Sequence, residues 1–230
     1  MAEVIVAFDL DSASAVERLL DRLPGLRWGK VGATLFTREG PRVVRLLQER
    51  GVRVFLDLKW HDIPHQVAGA VRAARDLGID LATVHALGGR AMLEAAQAAA
   101  GAMSLVAVTI LTSHSAEELA AILGTHAPRP SAEPATEAER LARMAITAGL
   151  VGVVASPLEA ARLRAALGPA AWLVVPGIRP AGSPPDDQAR TATAGVAVRD
   201  GASHLVVGRP ITGADQPGVV YQTLCEEAKG

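Results

Sequence analysis

Val4-Ile5-Val6-Ala7-Phe8-Asp9-Leu10-Asp11-Ser12 is the stretch on which the choice of fold turns. Val4–Phe8 is an apolar run of strand length. Ser12 begins an amphipathic segment that reads as a helix to Leu23, with Ser12 and Ser14 as start residues. A strand that feeds a helix is half of a parallel crossover. An open doubly wound sheet usually places a glycine-rich turn here, so that the backbone can approach a pyrophosphate. The turn Phe8-Asp9-Leu10-Asp11-Ser12 contains no glycine. The first unit therefore points away from the open sheet.

The same alternation runs to the end of the chain. Strands are expected at Trp28–Gly32, Val52–Leu58, Leu81–His85, Leu105–Leu111, Val151–Ala155, Trp172–Val175 and His204–Val207. Helices are expected over Gly40–Arg50, Pro64–Leu77, Ala91–Ala100, Ser115–Leu123, Thr136–Ala148, Pro157–Leu167, Arg190–Asp200 and Pro217–Ala228. A Pro/Ala-rich connector, Gly124–Ala135, separates two of them, and a loop rich in Pro, Gly and Asp spans Gly177–Gln188. Eight βα units in 230 residues predict one (β/α)8 TIM barrel of class α/β, a single catalytic domain over residues 1–230.

Composition agrees. Half of the residues are hydrophobic and 20% are charged, enough for a large core and too apolar for disorder. With aromatics at 3%, that core rests on Ala, Val, Leu and Ile, which suit strands covered by helices. The net charge is −1 and no run of Lys or Arg stands out, which argues against a nucleic-acid surface. No apolar stretch approaches the roughly 18–20 residues of a membrane span, and the N-terminus lacks the basic region of a signal peptide. One cysteine, Cys225, fits a reducing compartment. A cytoplasmic protein is expected.

Barrels carry their chemistry at the C-terminal ends of the strands. The residues there are Asp9, Lys30, Asp57, Lys59, His85, Thr109 to Thr112, Ser156, Gly177 to Arg179, Gly208 and Arg209. Along a strand the side chains alternate, so Asp57 and Lys59 are expected on one face, at the mouth, with Leu58 toward the helices. Asp62 lies beyond, in the turn before Pro64. An ammonium beside two carboxylates stays protonated, which suits a proton donor to a developing carbanion better than a nucleophile. The pattern Asp-x-Lys-x-x-Asp taken alone reads equally well as a structural ion pair.

The ends of strands seven and eight decide between these readings. Pro176-Gly177-Ile178-Arg179 follows strand seven and Gly208-Arg209-Pro210-Ile211 follows strand eight. Barrel enzymes often bind phosphate in these two loops, where glycine admits backbone N–H groups and arginine clamps two oxygens. The loop that Arg179 opens reads as a lid. His61 and His65 have the spacing of a zinc pair, but Pro64 stands between them and no third ligand is evident, so no metal site is expected. His204, at the start of strand eight, is expected to be structural, and Cys225 inert.

Phe55-Leu56-Asp57-Leu58-Lys59-Trp60-His61-Asp62-Ile63-Pro64 resembles the signature of the orotidine 5′-phosphate decarboxylases. Val6-Ala7-Phe8-Asp9, Lys30-Val31-Gly32, Val84-His85-Ala86-Leu87-Gly88-Gly89, Leu111-Thr112-Ser113, Val153-Val154-Ala155-Ser156, Val175-Pro176-Gly177-Ile178-Arg179, Asp187-Gln188-Ala189-Arg190 and Val206-Val207-Gly208-Arg209-Pro210-Ile211 follow in that family's order. The resemblance covers nearly the whole chain and is closest to the compact bacterial branch.

The resemblance implies conversion of orotidine 5′-phosphate to UMP and CO2, the last step of de novo pyrimidine synthesis, with no metal and no organic cofactor. It implies that Lys59 protonates C6, that Asp57 holds Lys59, and that Asp62 acts across the interface of a homodimer. Asp9 and Lys30 would hold ribose hydroxyls, Thr112 would lie near the pyrimidine, and Gln188 would bridge base and phosphate under the lid. Arg179, Gly208 and Arg209 would grip the phosphate, and Ile63 and Gln66 complete the substrate-binding set. Two positions depart from the pattern. The family usually has Asn or Thr and then Thr where His65 and Gln66 stand, so Gln66 replaces a threonine that contacts substrate across the dimer. Ala192-Thr193-Ala194 stands where Ala-Thr-Pro is usual, which is expected to be neutral. Two alternatives compete with this reading. One is an Mg²⁺-dependent sugar-phosphate decarboxylase or aldolase of the same barrel superfamily, such as 3-keto-gulonate-phosphate decarboxylase or hexulose-phosphate synthase. The strand-two end of those enzymes typically carries an acidic metal ligand where this chain has Lys30. The other is a catalytically inactive nucleotide-binding barrel.

Overall fold

The computed structural model describes residues 1–122, 124, 133–180 and 191–230. Eight parallel strands close on themselves in sequence order, and β8 returns to β1. They are β1 (Glu3–Ala7), β2 (Trp28–Gly32), β3 (Arg53–Trp60), β4 (Leu81–His85), β5 (Ser104–Val108), β6 (Gly152–Val154), β7 (Trp172–Val175) and β8 (His204–Val207). Around them run α1 (Ala13–Leu20), α2 (Ala33–Glu39), α3 (Pro41–Glu49), α4 (Pro64–Asp76), α5 (Gly89–Ala100), α6 (Ala116–Ile122), α7 (Pro134–Thr147), α8 (Ala160–Leu167), α9 (Ala194–Arg199), α10 (Arg209–Thr212) and α11 (Pro217–Glu227). The structure is the expected (β/α)8 TIM barrel.

Period-two alternation builds the barrel in two shells. Ile5, Ala7, Trp28, Phe55, Leu81, Val106, Val174 and Val206 point inward and fill the interior as one buried cluster. Val4, Val6 and Phe8 on the alternate positions join the larger cluster between strands and helices. The helices supply their side of that layer at helical spacing: Val16, Leu19 and Leu20 from α1, Val43, Val44 and Leu47 from α3, Val67, Ala68, Val71 and Ala74 from α4. Ser12 caps α1, its hydroxyl accepting from the Ala15 N–H at 3.3 Å. β6 runs so close to β7 that a Cβ on Gly152 would stand 2.0 Å from the Trp172 carbonyl oxygen.

The inward rows continue upward into polar residues. Two positions beyond Ala7, Trp28, Phe55 and Leu81 stand Asp9, Lys30, Asp57 and Thr83. At the opposite end, Trp28, Trp172 and His204 close the barrel floor. The His204 ring lies 4.4 Å from that of Trp172 and 6.1 Å, edge-on, from that of Trp28. Arg53 covers the outer face of Trp28 at 4.1 Å. The structural role expected for His204 matches this position.

Several boundaries differ from expectation. β3 extends to Trp60, two residues past Leu58. The helix expected over Gly40–Arg50 is preceded by a second one, and the two are separated at Gly40, whose φ of 57° turns the chain where a side chain would be strained. β5 ends at Val108, where the last residues of its apolar run turn into the mouth loop, and β6 is one residue shorter than its run at each end. A short helix, α10, follows β8 and was not expected. Most of the Gly124–Ala135 connector, the start of the Arg190–Asp200 helix and the larger part of the expected lid, with Gln188, lie outside the described residues. Among the described residues no helix is long and apolar enough to cross a membrane.

Candidate active site

A cavity of about 470 Å³ opens at the C-terminal end of the barrel. Its floor is the top of the inner shell, with Ala7, Phe55, Val108, Val154, Val174 and Val206. Asp9, Lys30, Asp57 and Lys59 form one wall, from β1, β2 and β3. Pro176, Gly177, Arg179, Gly208 and Arg209 form another, after β7 and β8. In a ring of eight strands, β7 stands four places from β3, directly across the mouth. Ile110, Leu111 and Thr112 line the side between them.

The charged wall alternates in sign. Lys30 Nζ lies 3.0 Å from Asp9 Oδ1 and 3.6 Å from Asp57 Oδ2, and Lys59 Nζ donates to Asp57 Oδ1 at 2.9 Å. Lys30 is buried and Asp57 nearly so, while Lys59 and Asp9 reach the opening. Burial is the largest influence on Asp57 and on its own would raise its pKa. Lys30 and Lys59, with hydrogen bonds from Lys59 and Thr83, outweigh it and hold the carboxyl below its ordinary 3.8. Asp57 therefore stays ionised between two ammonium groups.

The backbone under Lys59 is unusual. Among the described residues Lys59 alone, glycines aside, has a positive φ, 52°. A left-handed non-glycine residue costs about 1–3 kcal/mol and persists only where its surroundings hold it. The β3–β4 ladder also shifts here, from Leu56↔Ala82 to Trp60↔Val84, so Asp57, Leu58 and Lys59 stand opposite Thr83 alone. Simple alternation anticipated that Asp57 and Lys59 share a side, and both line the cavity. The regular strand behind that expectation is, however, broken between them.

Thr83 is the residue that sequence reasoning missed. It is fully buried, its hydroxyl accepts from the Lys59 N–H at 2.8 Å, and it donates to Asp57 Oδ1 at 3.1 Å. A threonine inside Leu81-Ala82-Thr83-Val84-His85 is an ordinary strand residue, so nothing in the sequence marks it.

Other strand-end residues serve structure. Thr109 donates to the Val154 carbonyl at 3.2 Å, and Ser156 caps the 3-10 turn Pro157–Glu159 with Glu159. The His85 ring caps the turn Ala86–Gly88 through Nδ1 and stacks on His61 at 5.4 Å. Burial first, then His61, Lys59 and His114, push the His85 pKa down to about 4. Cys225 lies in α11 beside Tyr221, away from the cavity, and burial raises its pKa. Asp62, Ile63 and Gln66 do not line the cavity of their own chain. Asp62 is exposed and accepts from the Ile63 N–H at 2.6 Å, and Ile63 is 62% exposed. Among the described residues no group of three His, Cys, Asp or Glu side chains is arranged to hold a metal ion.

The family model for the orotidine 5′-phosphate decarboxylase / HUMPS family matches residues 2–224. The chain belongs to this family. A relative from Moorella thermoacetica named orotidine 5′-phosphate decarboxylase is 47% identical over 235 residues, covering 98% of this chain and 91% of its own. One of the same name from Halorhodospira halophila is 49% identical over 229 residues, 97% of this chain and 94% of its own. The crystal structure of orotidine 5′-phosphate decarboxylase from Lactobacillus acidophilus superposes with a TM-score of 0.87 over the whole of both chains, at 37% identity. The likeness thus extends over every strand end that builds the cavity, and the motifs quoted above fall on those ends.

Proposed function

We propose that this chain, as one catalytic domain, decarboxylates orotidine 5′-phosphate to UMP and CO2, the last step of de novo pyrimidine synthesis, without a metal ion. One observation carries the reading: the unbroken run Asp9–Lys30–Asp57–Lys59 on one wall of a cavity that also presents Arg179 across the mouth, after β7, and Gly208 and Arg209 after β8, beside Asp9. The names of the curated relatives support the substrate.

In this reading the phosphate sits between the β7 and β8 loops, gripped by the two arginines and the backbone at Gly208. Asp9 and Lys30 hold ribose hydroxyls, and Thr112 faces the pyrimidine. The C6–CO2 bond breaks heterolytically, CO2 departs neutral, and the electron pair stays on C6. Lys59 then gives C6 a proton, forming UMP. The Asp57 carboxylate holds the ammonium at 2.9 Å, in place for the carbanion as it develops, which is stabilisation aimed at the transition state. Gln188, which the resemblance gives a contact to base and phosphate, lies outside the described residues.

Asp62, Ile63 and Gln66 are exposed on their own chain. We read them as belonging to the partner's site in a homodimer, with Asp62 extending the alternation of charge there. A reducing, cytoplasmic setting fits the single cysteine.

The Mg²⁺-dependent alternative is disfavoured by Lys30, whose ammonium at the end of β2 would repel a divalent ion. The test is turnover of orotidine 5′-phosphate in EDTA, followed by loss of substrate ultraviolet absorbance. Turnover with wild type and none with Lys59→Ala, both folded by circular dichroism, is expected. Activity confined to sugar phosphates with Mg²⁺ would favour the alternative, and UMP binding without turnover would favour an inactive barrel. Full activity in Lys59→Ala would remove the lysine from its role.

A further inference from the structure

We infer that Thr83 is the positioning residue for Lys59, closing a hydrogen-bonded ring that fixes both ends of the lysine. The ring runs from the Lys59 N–H to Thr83 Oγ1 at 2.8 Å, from the Thr83 hydroxyl to Asp57 Oδ1 at 3.1 Å, and back from Lys59 Nζ to the same oxygen at 2.9 Å. Its direction is determined by chemistry. The backbone N–H can only donate, so the hydroxyl accepts there, and its single proton goes to the carboxylate. The carboxylate oxygen then accepts from the hydroxyl and from the ammonium. Main chain and side-chain tip of one residue are thereby tied to one atom.

The ladder explains why this hydroxyl is needed. Where three residues of β3 stand opposite one of β4, regular backbone pairing lapses, and the one residue facing the gap is Thr83. Its hydroxyl takes the Lys59 N–H that the ladder leaves over. It also anchors the left-handed turn at φ 52° that carries the lysine into the cavity. Thr83 is fully buried and does not line the cavity, so it acts through Lys59 and Asp57, not on substrate.

The test compares Thr83→Val with Thr83→Ser. Valine keeps the shape and loses the ring; serine keeps the ring and loses a methyl group. In the free protein, ¹³C NMR titration of the Asp57 carboxyl should show its pKa raised in the valine variant and unchanged in the serine variant, because a donor to the charged form is removed only in the first. The kinetic arm rests on the decarboxylase reading. There kcat should fall about 10- to 100-fold in the valine variant with KM within about 3-fold, and serine should restore it, since small misplacements of a reacting group cost rate more than binding. The Lys59 amide should resist hydrogen exchange in wild type and in Thr83→Ser, a readout that stands even if valine prevents folding. A serine variant as impaired as valine would mean that Thr83 only packs. An unshifted Asp57 in the valine variant, or an unprotected Lys59 amide, would also overturn the inference. If wild type does not turn over orotidine 5′-phosphate, the functional reading falls while the titration still decides the ring.

Discussion

Lowering the pH from 7.5 to 5 should weaken the fold through His204, and His204→Gln should remove that part of the loss. His204 is 5% exposed on the barrel floor, its ring between Trp28 and Trp172 and hydrogen-bonded to Ser203 Oγ at 2.9 Å. Burial, and secondarily Arg53, push its pKa from 6.5 down to about 4. The folded state therefore holds a neutral ring over a range in which the unfolded chain binds a proton. Stability from this residue is complete above the unfolded value of 6.5 and is lost as pH falls from there toward 4. Integrated from pH 7.5 to 5, the loss is about 2 kcal/mol, and the full shift is worth about 3 kcal/mol. His85 has a similar depression but is present in both proteins, so it cancels in the comparison. Asp57, whose stabilising contribution is lost only below its unfolded 3.8, lies outside the window. Urea unfolding at both pH values, read by circular dichroism and tryptophan fluorescence, gives the two differences. Loss of the ring itself lowers the variant's stability at every pH by roughly 1 kcal/mol, so the informative quantity is the slope with pH. A variant that loses as much stability as wild type would refute the argument.

Three further outcomes are expected. Arg209→Ala should raise KM for orotidine 5′-phosphate by about 10-fold or more, the scale of a lost charged hydrogen bond, while circular dichroism is unchanged; unaltered kinetics would remove it from the phosphate grip. Lys59→Ala and Asp62→Ala should each be inactive alone. Mixed by co-refolding, they should regain about a quarter of wild-type activity, because half of randomly paired dimers have one intact site in two; no recovery would place Asp62 outside the shared site. Gly152→Ala should cost about 3 kcal/mol or prevent folding, since its Cβ would meet the Trp172 backbone at 2.0 Å. An unchanged melting temperature would contradict that close approach of β6 and β7.

The barrel was legible because its signals are local and repeated. Leu81–His85, Trp172–Val175 and His204–Val207 are apolar runs bounded by polar or turn residues, and each is the observed strand. Strand-end reading likewise brought Asp9, Lys30, Asp57, Lys59, Thr112, Arg179, Gly208 and Arg209 to one cavity. What escaped depends on pairing between strands. The bulge opposite Thr83 is a property of two strands in register, and a rule of alternation along one strand has no means of anticipating it. The split at Gly40 was hidden because Ala33–Glu39 lacks a strong apolar stripe, with Leu35 its one buried residue. Asp62, Ile63 and Gln66 fall in the same motif as Lys59, yet adjacency in sequence did not put them in the same cavity.

The alternation of Asp9, Lys30, Asp57 and Lys59 also balances the charge of that wall within one chain. Two carboxylates and two ammonium groups sum to zero. If Lys59 is the proton donor proposed above, its loss of a proton leaves these four groups with one uncompensated negative charge beside the largely buried Asp57, where solvation is poor. The Lys59 side chain is 40% exposed, so water at the mouth can supply the proton directly. On the proposed reading, the mouth of the barrel is then both the entry for substrate and the route by which the wall is recharged.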